Sequence, residues 1–176
     1  MQISPLLIAS ELNTVSIWGP SQAEADQPLS VKVSTSTREI TASIPIDEQT
    51  MSVAIRLPSS YPLSRAAVES VRRVGVDERK WQSWVMTTQG VINFSNEGNG
   101  GALIEGLLAW RKNVTAAMKG HTECAICYSV VSAERQLPSK KCGTCRNAFH
   151  GGCLYRWFKS SNSSSCPLCR NAFNYA

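Results

Sequence analysis

The chain has 176 residues, 43% of them apolar, and a net charge of +5, which suits one medium domain or two small ones with a packed core. No run approaches the roughly 18 apolar residues of a membrane helix, and Met1–Ser10 lacks the basic flank and long apolar stretch of a secretory signal, so no membrane partner is predicted. All seven cysteines lie between 124 and 169, which marks a change of composition near residue 120.

The charge follows the same division. Residues 1–118 carry 10 basic and 11 acidic side chains, whereas 119–176 carry 8 basic and 2 acidic. The basic surplus of the second part reads either as a solvated face or as a contact with an acidic protein or RNA.

In chain order, 1–27 reads as an N-terminal segment. A short apolar patch, Pro5–Leu12, predicts one or two helical turns, and Gly19, Pro20 and Pro28 mark a loop. Three runs of period two follow: Val31, Val33, Thr35; Ile40, Ala42, Ile44, Ile46; and Met51, Val53, Ile55, Leu57. Such alternation buries one face of a strand, and the short polar turns between runs predict an antiparallel meander. Pro45 falls on the opposite face and points to an edge or bulge.

Leu57–Leu63, with Pro58 and Pro62, ends the sheet. Residues 66–76 fit either a strand or a helix. Asp77 can cap a helix carrying Trp81, Trp84 and Val85. A Gly/Asn-rich turn is expected at 96–101. A second helix then spans 102–118, with Leu103, Leu107, Trp110 and Val114 as its apolar stripe and Gly120 as its stop. The reading is α+β over 28–118, followed by a small cysteine-rich domain over 119–176.

The sheet, the Tyr61-Pro62 break and the helices resemble the RWD domain, a relative of the ubiquitin-conjugating fold. The second proline usual in that family is absent, since Ala66-Ala67 stands in its place. A conjugating enzyme carries ubiquitin on a cysteine thioester. This region has no cysteine, which leaves it a binding or positioning role.

The cysteine-rich part reads Cys124-x2-Cys127-x14-Cys142-x2-Cys145-x4-His150-x2-Cys153-x12-Cys166-x2-Cys169. Close Cys-x2-Cys pairs are poor disulfide geometry and good metal geometry, and an odd count leaves one thiol over in any disulfide scheme. Eight soft ligands in four pairs match two structural Zn2+ ions and imply a reducing compartment. His121 reads as linker. Phe149, Leu154 and Phe158 read as core.

This pattern resembles the RING superfamily. The resemblance implies cross-braced binding, with Cys124, Cys127, His150 and Cys153 on the first zinc and Cys142, Cys145, Cys166 and Cys169 on the second. The same ligand order occurs in PHD fingers, which read peptides. Those place a tryptophan two residues before the seventh ligand, where Ser164 stands here. RING domains place one on a helix after the sixth ligand, as Trp157 is here. They also favour an apolar residue between the first ligands (Ile126) and a Cys-Pro-x-Cys close (Pro167, Leu168). By that resemblance Ile126, Trp157, Pro167 and Leu168 line an apolar groove for a ubiquitin-conjugating enzyme, and Arg170 contacts the charged enzyme. The competing reading is a non-enzymatic zinc scaffold or PHD-like reader.

Taken together, an RWD-like domain joined to a RING with His-Gly-Gly-Cys-Leu-Tyr-Arg-Trp-Phe at 150–158 resembles the C-terminal end of a family of ribosome-associated RING ubiquitin ligases. That resemblance implies a fragment of a longer cytosolic protein. It also implies the large ribosomal subunit and a stalled nascent chain as partners.

Overall fold

A computed structural model describes residues 3–95 and 100–175. It divides into two compact units. One comprises Met1–Pro45 and Thr50–Met118, the other Ile46–Gln49 and Lys119–Ala176. The architecture is α+β, with four α-helices among the described residues.

The first unit opens with α1 (Ile3–Trp18), longer than the one or two turns its apolar patch suggested. Ile8, Glu11, Leu12 and Val15 form its buried stripe, while Leu6 and Ile17 are exposed. Apolar residues are scattered around this helix, so no clean stripe is visible in the sequence. A 3-10 turn, Gly19–Gln22, follows.

Strands β1 (Ser30–Ser34), β2 (Glu39–Ile46), β3 (Gln49–Arg56) and β4 (Ala67–Arg72) form one sheet in the order β1-β2-β3-β4. On β2 the alternating residues Ile40, Ala42, Ile44 and Ile46 are the buried ones, whereas on β3 Ser52 and Ala54 are buried along with Met51, Val53 and Ile55. Pro45 lies on an interior strand, yet the β1 pairing stops at Ser30–Ser43, so no β1 residue stands opposite it. Its missing N–H therefore breaks no bond to β1.

Residues 67–72 are a strand, paired antiparallel through Val53–Ser70 and Ile55–Val68. A helix would have required Val68, Val71 and Val74 on one buried side, but Val71 is 58% exposed. Side chains from the next helix also hold this segment. Gln89 accepts from the Val68 amide at 3.0 Å, and Asn93 both accepts from and donates to Ala66, at 2.8 and 3.0 Å.

Helix α2 (Glu78–Phe94) begins at Asp77, whose carboxylate accepts from the Lys80 amide at 3.0 Å as an N-cap. Helix α3 (Gly101–Met118) presents Leu103, Leu107, Trp110 and Val114 to the core. Trp81 packs edge-on against Trp110 with ring centroids 6.3 Å apart, and its indole N–H donates to Ser70 Oγ at 2.7 Å. Most of the expected turn at 96–101 lies outside the described residues. Gly120 follows α3 with φ +84°, a conformation glycine adopts without steric cost.

The second unit has little regular structure: a two-residue hairpin of β5 (Lys140–Lys141) and β6 (Ala148–Phe149), and α4 (Gly151–Ser161). Its core is Cys124, Cys142, Phe149, Leu154 and Cys166, with Phe158 and Phe173 packed against it. Helix α4 ends at Asn162 in the left-handed conformation, and Ser160–Ser165 leads on into the last ligand pair. No described helix is long and apolar enough to cross a membrane.

Candidate metal centres and the surface beside them

Three short turns carry the Cys-x2-Cys pairs, and all three have one backbone design. In each, the amide four residues after the first cysteine donates back to that cysteine's carbonyl: Tyr128 to Cys124 at 2.8 Å, Arg146 to Cys142 at 2.9 Å, Arg170 to Cys166 at 3.0 Å. The first cysteine's own amide donates to the carbonyl five residues on, at Ser129, Asn147 and Asn171. Tyr128, Arg146 and Arg170 all have φ between 57° and 61°. This left-handed step closes the turn and lets both thiols of a pair face one point.

Two of these turns are near copies. Cys142-Gly-Thr-Cys-Arg-Asn-Ala-Phe149 and Cys166-Pro-Leu-Cys-Arg-Asn-Ala-Phe173 differ at two positions. Their phenylalanines meet edge-on at 5.9 Å. Their thiols pair crosswise, Cys142 with Cys169 at 3.8 Å and Cys145 with Cys166 at 3.7 Å. Reading the ligands only as pairs passes over this repeat, although comparing the residues after each pair reveals it.

The ligand atoms gather into two groups. Cys124, Cys127, His150 and Cys153 form one, Cys142, Cys145, Cys166 and Cys169 the other, and within each group all ligand atoms lie within 4.8 Å of one another. The groups interleave along the chain. His150 is buried, with Nδ1 3.3 Å from Cys127 Sγ and 3.8 Å from Cys153 Sγ. Its Nε2 lies 3.2 Å from the Val130 carbonyl. A carbonyl only accepts, so Nε2 carries the proton and Nδ1 turns its lone pair toward the thiols.

The thiols of each group differ in how readily they ionise. The side chain and backbone amide of Asn147, beside Cys145, lower the pKa of its thiol to about 6. Burial raises Cys124, but the His150 backbone amide, with those of Cys127 and Ile126, leaves it net lowered. Burial pushes Cys153 up to about 12, with neighbouring thiols adding to the rise, and pushes Cys166 up to about 11. Each group thus holds a thiol shifted down and a thiol shifted up. A divalent ion would favour the thiolate form at all of them. The donor set and its spacing fit a metal ion at both places.

The other predicted site residues lie around these groups. Ile126 is half-buried in the first turn, packed on the core. Trp157, on α4, is half-buried, and its indole N–H donates to the Ser165 carbonyl at 3.1 Å, which ties it to the stretch leading into Pro167. Leu168 is 48% exposed, and Arg170 is exposed after the last ligand. His121 is exposed and belongs to neither group. Tyr128 and Tyr155 add exposed aromatic surface that the motif did not single out.

Comparison with known families follows the same two parts. The family described as ubiquitin conjugating domain-like matches residues 29–117, and the ring finger domain matches residues 122–170. The E3 ubiquitin-protein ligase listerin of Neurospora crassa is 49% identical over 175 residues, 98% of this chain and 11% of that protein. Listerin of Schizosaccharomyces pombe is 47% identical over 98% of the chain, and that of Saccharomyces cerevisiae 44% over 96%, each again matched over 11% of its own length. The chain spans about a tenth of the length of these relatives.

Proposed function

Because the chain belongs to the ubiquitin conjugating domain-like family and is homologous to a stretch of the listerins along nearly its whole length, we propose that it is the recruiting and activating part of a RING-type ubiquitin ligase. The observation that carries this reading is the pair of interleaved Cys/His groups, with Trp157 tied beside the Cys166-Pro167-Leu168-Cys169 turn.

Two zinc ions fit the sulfur and nitrogen donors. Each would have four protein ligands and no open position, so zinc would supply structural crosslinks only. All seven cysteines belong to these groups, which leaves none to carry ubiquitin. The covalent step then belongs to the bound conjugating enzyme. The neutral amine of a substrate lysine attacks the thioester carbonyl, the C–N bond forms as the C–S bond breaks, the enzyme's thiolate leaves, and the proton lost by the amine passes to water. This chain would act by positioning. Ile126, Trp157, Pro167 and Leu168 supply apolar anchors for the enzyme. Arg170, with its planar fork of donors, bridges the enzyme and its ubiquitin.

In the same reading 119–176 is the ligase module and 28–118 the docking domain, preceded by the segment 1–27. The resemblance to ribosome-associated ligases supports a place in the cytosol, on the large ribosomal subunit, with the stalled nascent chain as substrate. The basic surplus of 119–176 supports an RNA or acidic protein neighbour.

The test compares binding to the uncharged conjugating enzyme with single-turnover discharge of ubiquitin onto free lysine. Ile126→Ala is expected to cost about 1–3 kcal/mol of binding and to slow discharge with it. Arg170→Ala is expected to leave binding unchanged and slow discharge. Parental binding and discharge by Ile126→Ala would remove the groove and favour a zinc scaffold. Co-sedimentation with large ribosomal subunits, run at several salt concentrations, tests docking separately. Equal sedimentation of the RING alone and the full chain would remove the docking role of 28–118.

A further inference from the structure

The turn between β2 and β3 belongs to the second unit, and one of its residues reaches the first ligand group through a single peptide. Asp47 has φ +53°, a left-handed conformation that aspartate tolerates better than most residues. One oxygen of its carboxylate, Oδ2, accepts from two successive amides, Val130 at 2.6 Å and Val131 at 3.0 Å. A carboxylate that accepts two backbone N–H groups makes short, charge-assisted bonds. The same Val130 residue offers its carbonyl to His150 Nε2 at 3.2 Å, while His150 Nδ1 faces the thiols of Cys127 and Cys153.

From this chain of bonds we propose that Asp47 is a positioning residue of the first metal site, acting through the Val130 peptide on the imidazole of His150. Bonding to the amides of Val130 and Val131 fixes the orientation of that stretch and so the direction of the Val130 carbonyl. That carbonyl holds the Nε2 proton, which keeps the Nδ1 lone pair toward the ion. Partners of this kind commonly set the orientation and basicity of a metal-bound histidine. The second group, all thiolate and built from the two copied turns, has no histidine and no bond to Asp47 among those described. The effect is therefore confined to one site.

The inference rests on the zinc reading above, and the experiment separates the two. The full chain is loaded with cadmium-113 as probe ion, and NMR follows each resonance after a chelator is added. The parental chain should show one resonance from a three-sulfur, one-nitrogen site and one from a four-sulfur site. If those two signals are not found, the zinc reading fails and this inference falls with it. If they are present, Asp47→Ala should lose the three-sulfur signal about tenfold faster than the parent, the lower end of what outer partners of metal ligands contribute. The four-sulfur signal should decay at the parental rate.

Asp47→Asn keeps an acceptor oxygen and loses the charge, so it should fall between the two. It also serves where the alanine variant fails to fold. The Nε2 proton of His150 should exchange with solvent faster in both variants, a change that loss of general stability at the four-sulfur site would not mimic. Parental decay of both signals in both variants overturns the proposal. Equal acceleration of both signals overturns it too, because that pattern means general loosening.

Discussion

The two units keep their shapes by different means. In the first, the largest fully buried side chains are apolar: Trp81, Trp110, Leu12, Leu29, Ile40, Met51, Ile55, Leu103 and Leu107. In the second, Phe149 and Leu154 are accompanied in the core mainly by Cys124, Cys142 and Cys166, with His150 buried beside them. Burying one large apolar side chain contributes about 1.5–3 kcal/mol. The first unit has many such side chains on its sheet and helices. The second has few, and crosslinks at the two ligand groups would supply stability that its small core does not.

The sharpest break in the comparison is metal removal. A strong chelator at neutral pH should unfold Lys119–Ala176 while the sheet and helices of the first unit stay folded. Amide NMR read residue by residue checks this. Collapse of the signals from 29–117 along with those of the tail would show that the two units do not differ in this way. Finding one zinc per chain by native mass spectrometry would count equally against it.

A smaller effect should fall on the first unit alone. Gly106 on α3 packs against Ile92 on α2 so closely that an added Cβ would overlap Ile92 Cγ1 and Cδ1. Gly106→Ala is therefore expected to cost about 1–3 kcal/mol of stability in the first unit, as overpacked cores do. Metal release from the second unit should not change. Denaturant melts of the variant, paired with chelator kinetics, read both. An alanine variant as stable as the parent would mean that the two helices separate freely and that close packing does not hold this unit.

How much of this could be read in advance divides along the same line. The meander was legible because alternation along β2 has a single physical reading, one face in and one face out, although on β3 Ser52 and Ala54 are buried where that reading would expose them. The α3 stripe was legible for the matching reason at helical spacing, and the ligand pairs because few other needs put two cysteines three apart. Helix α1 was only half legible, since its buried stripe includes Glu11 and its exposed side includes Leu6 and Ile17. The segment 66–76 was undecidable from its valines. It became a strand through partners far along the chain, β3 on one side and Gln89 and Asn93 on the other. Asp47 was invisible as anything but a turn residue, because its hydrogen-bond partners lie more than eighty positions away.

The smallest expected effect concerns the polar intruder in the α1 stripe. Glu11 is 6% exposed, and its Oε2 has no hydrogen-bond partner. Burial raises its pKa above the usual carboxyl range, although a hydrogen bond from the Tyr61 phenol opposes the rise. Burial likewise pushes Tyr61 up to about 12, and the Glu11 charge adds to it. A carboxyl whose folded pKa exceeds its unfolded pKa binds a proton more tightly when folded. Its favourable contribution is then complete below the unfolded value and is lost as pH rises through the folded value. The first unit should accordingly lose some stability between mildly acidic and neutral pH. Glu11→Gln, which cannot ionise, should flatten that slope and leave the variant more stable than the parent, relative to their acidic values, at neutral pH. Urea melts of the first unit from pH 4 to pH 8, followed by its amide signals, measure the slope directly. Identical slopes in parent and variant would show that Glu11 titrates alike in the folded and unfolded chain, and that even this buried charge leaves the apolar core of the first unit undisturbed.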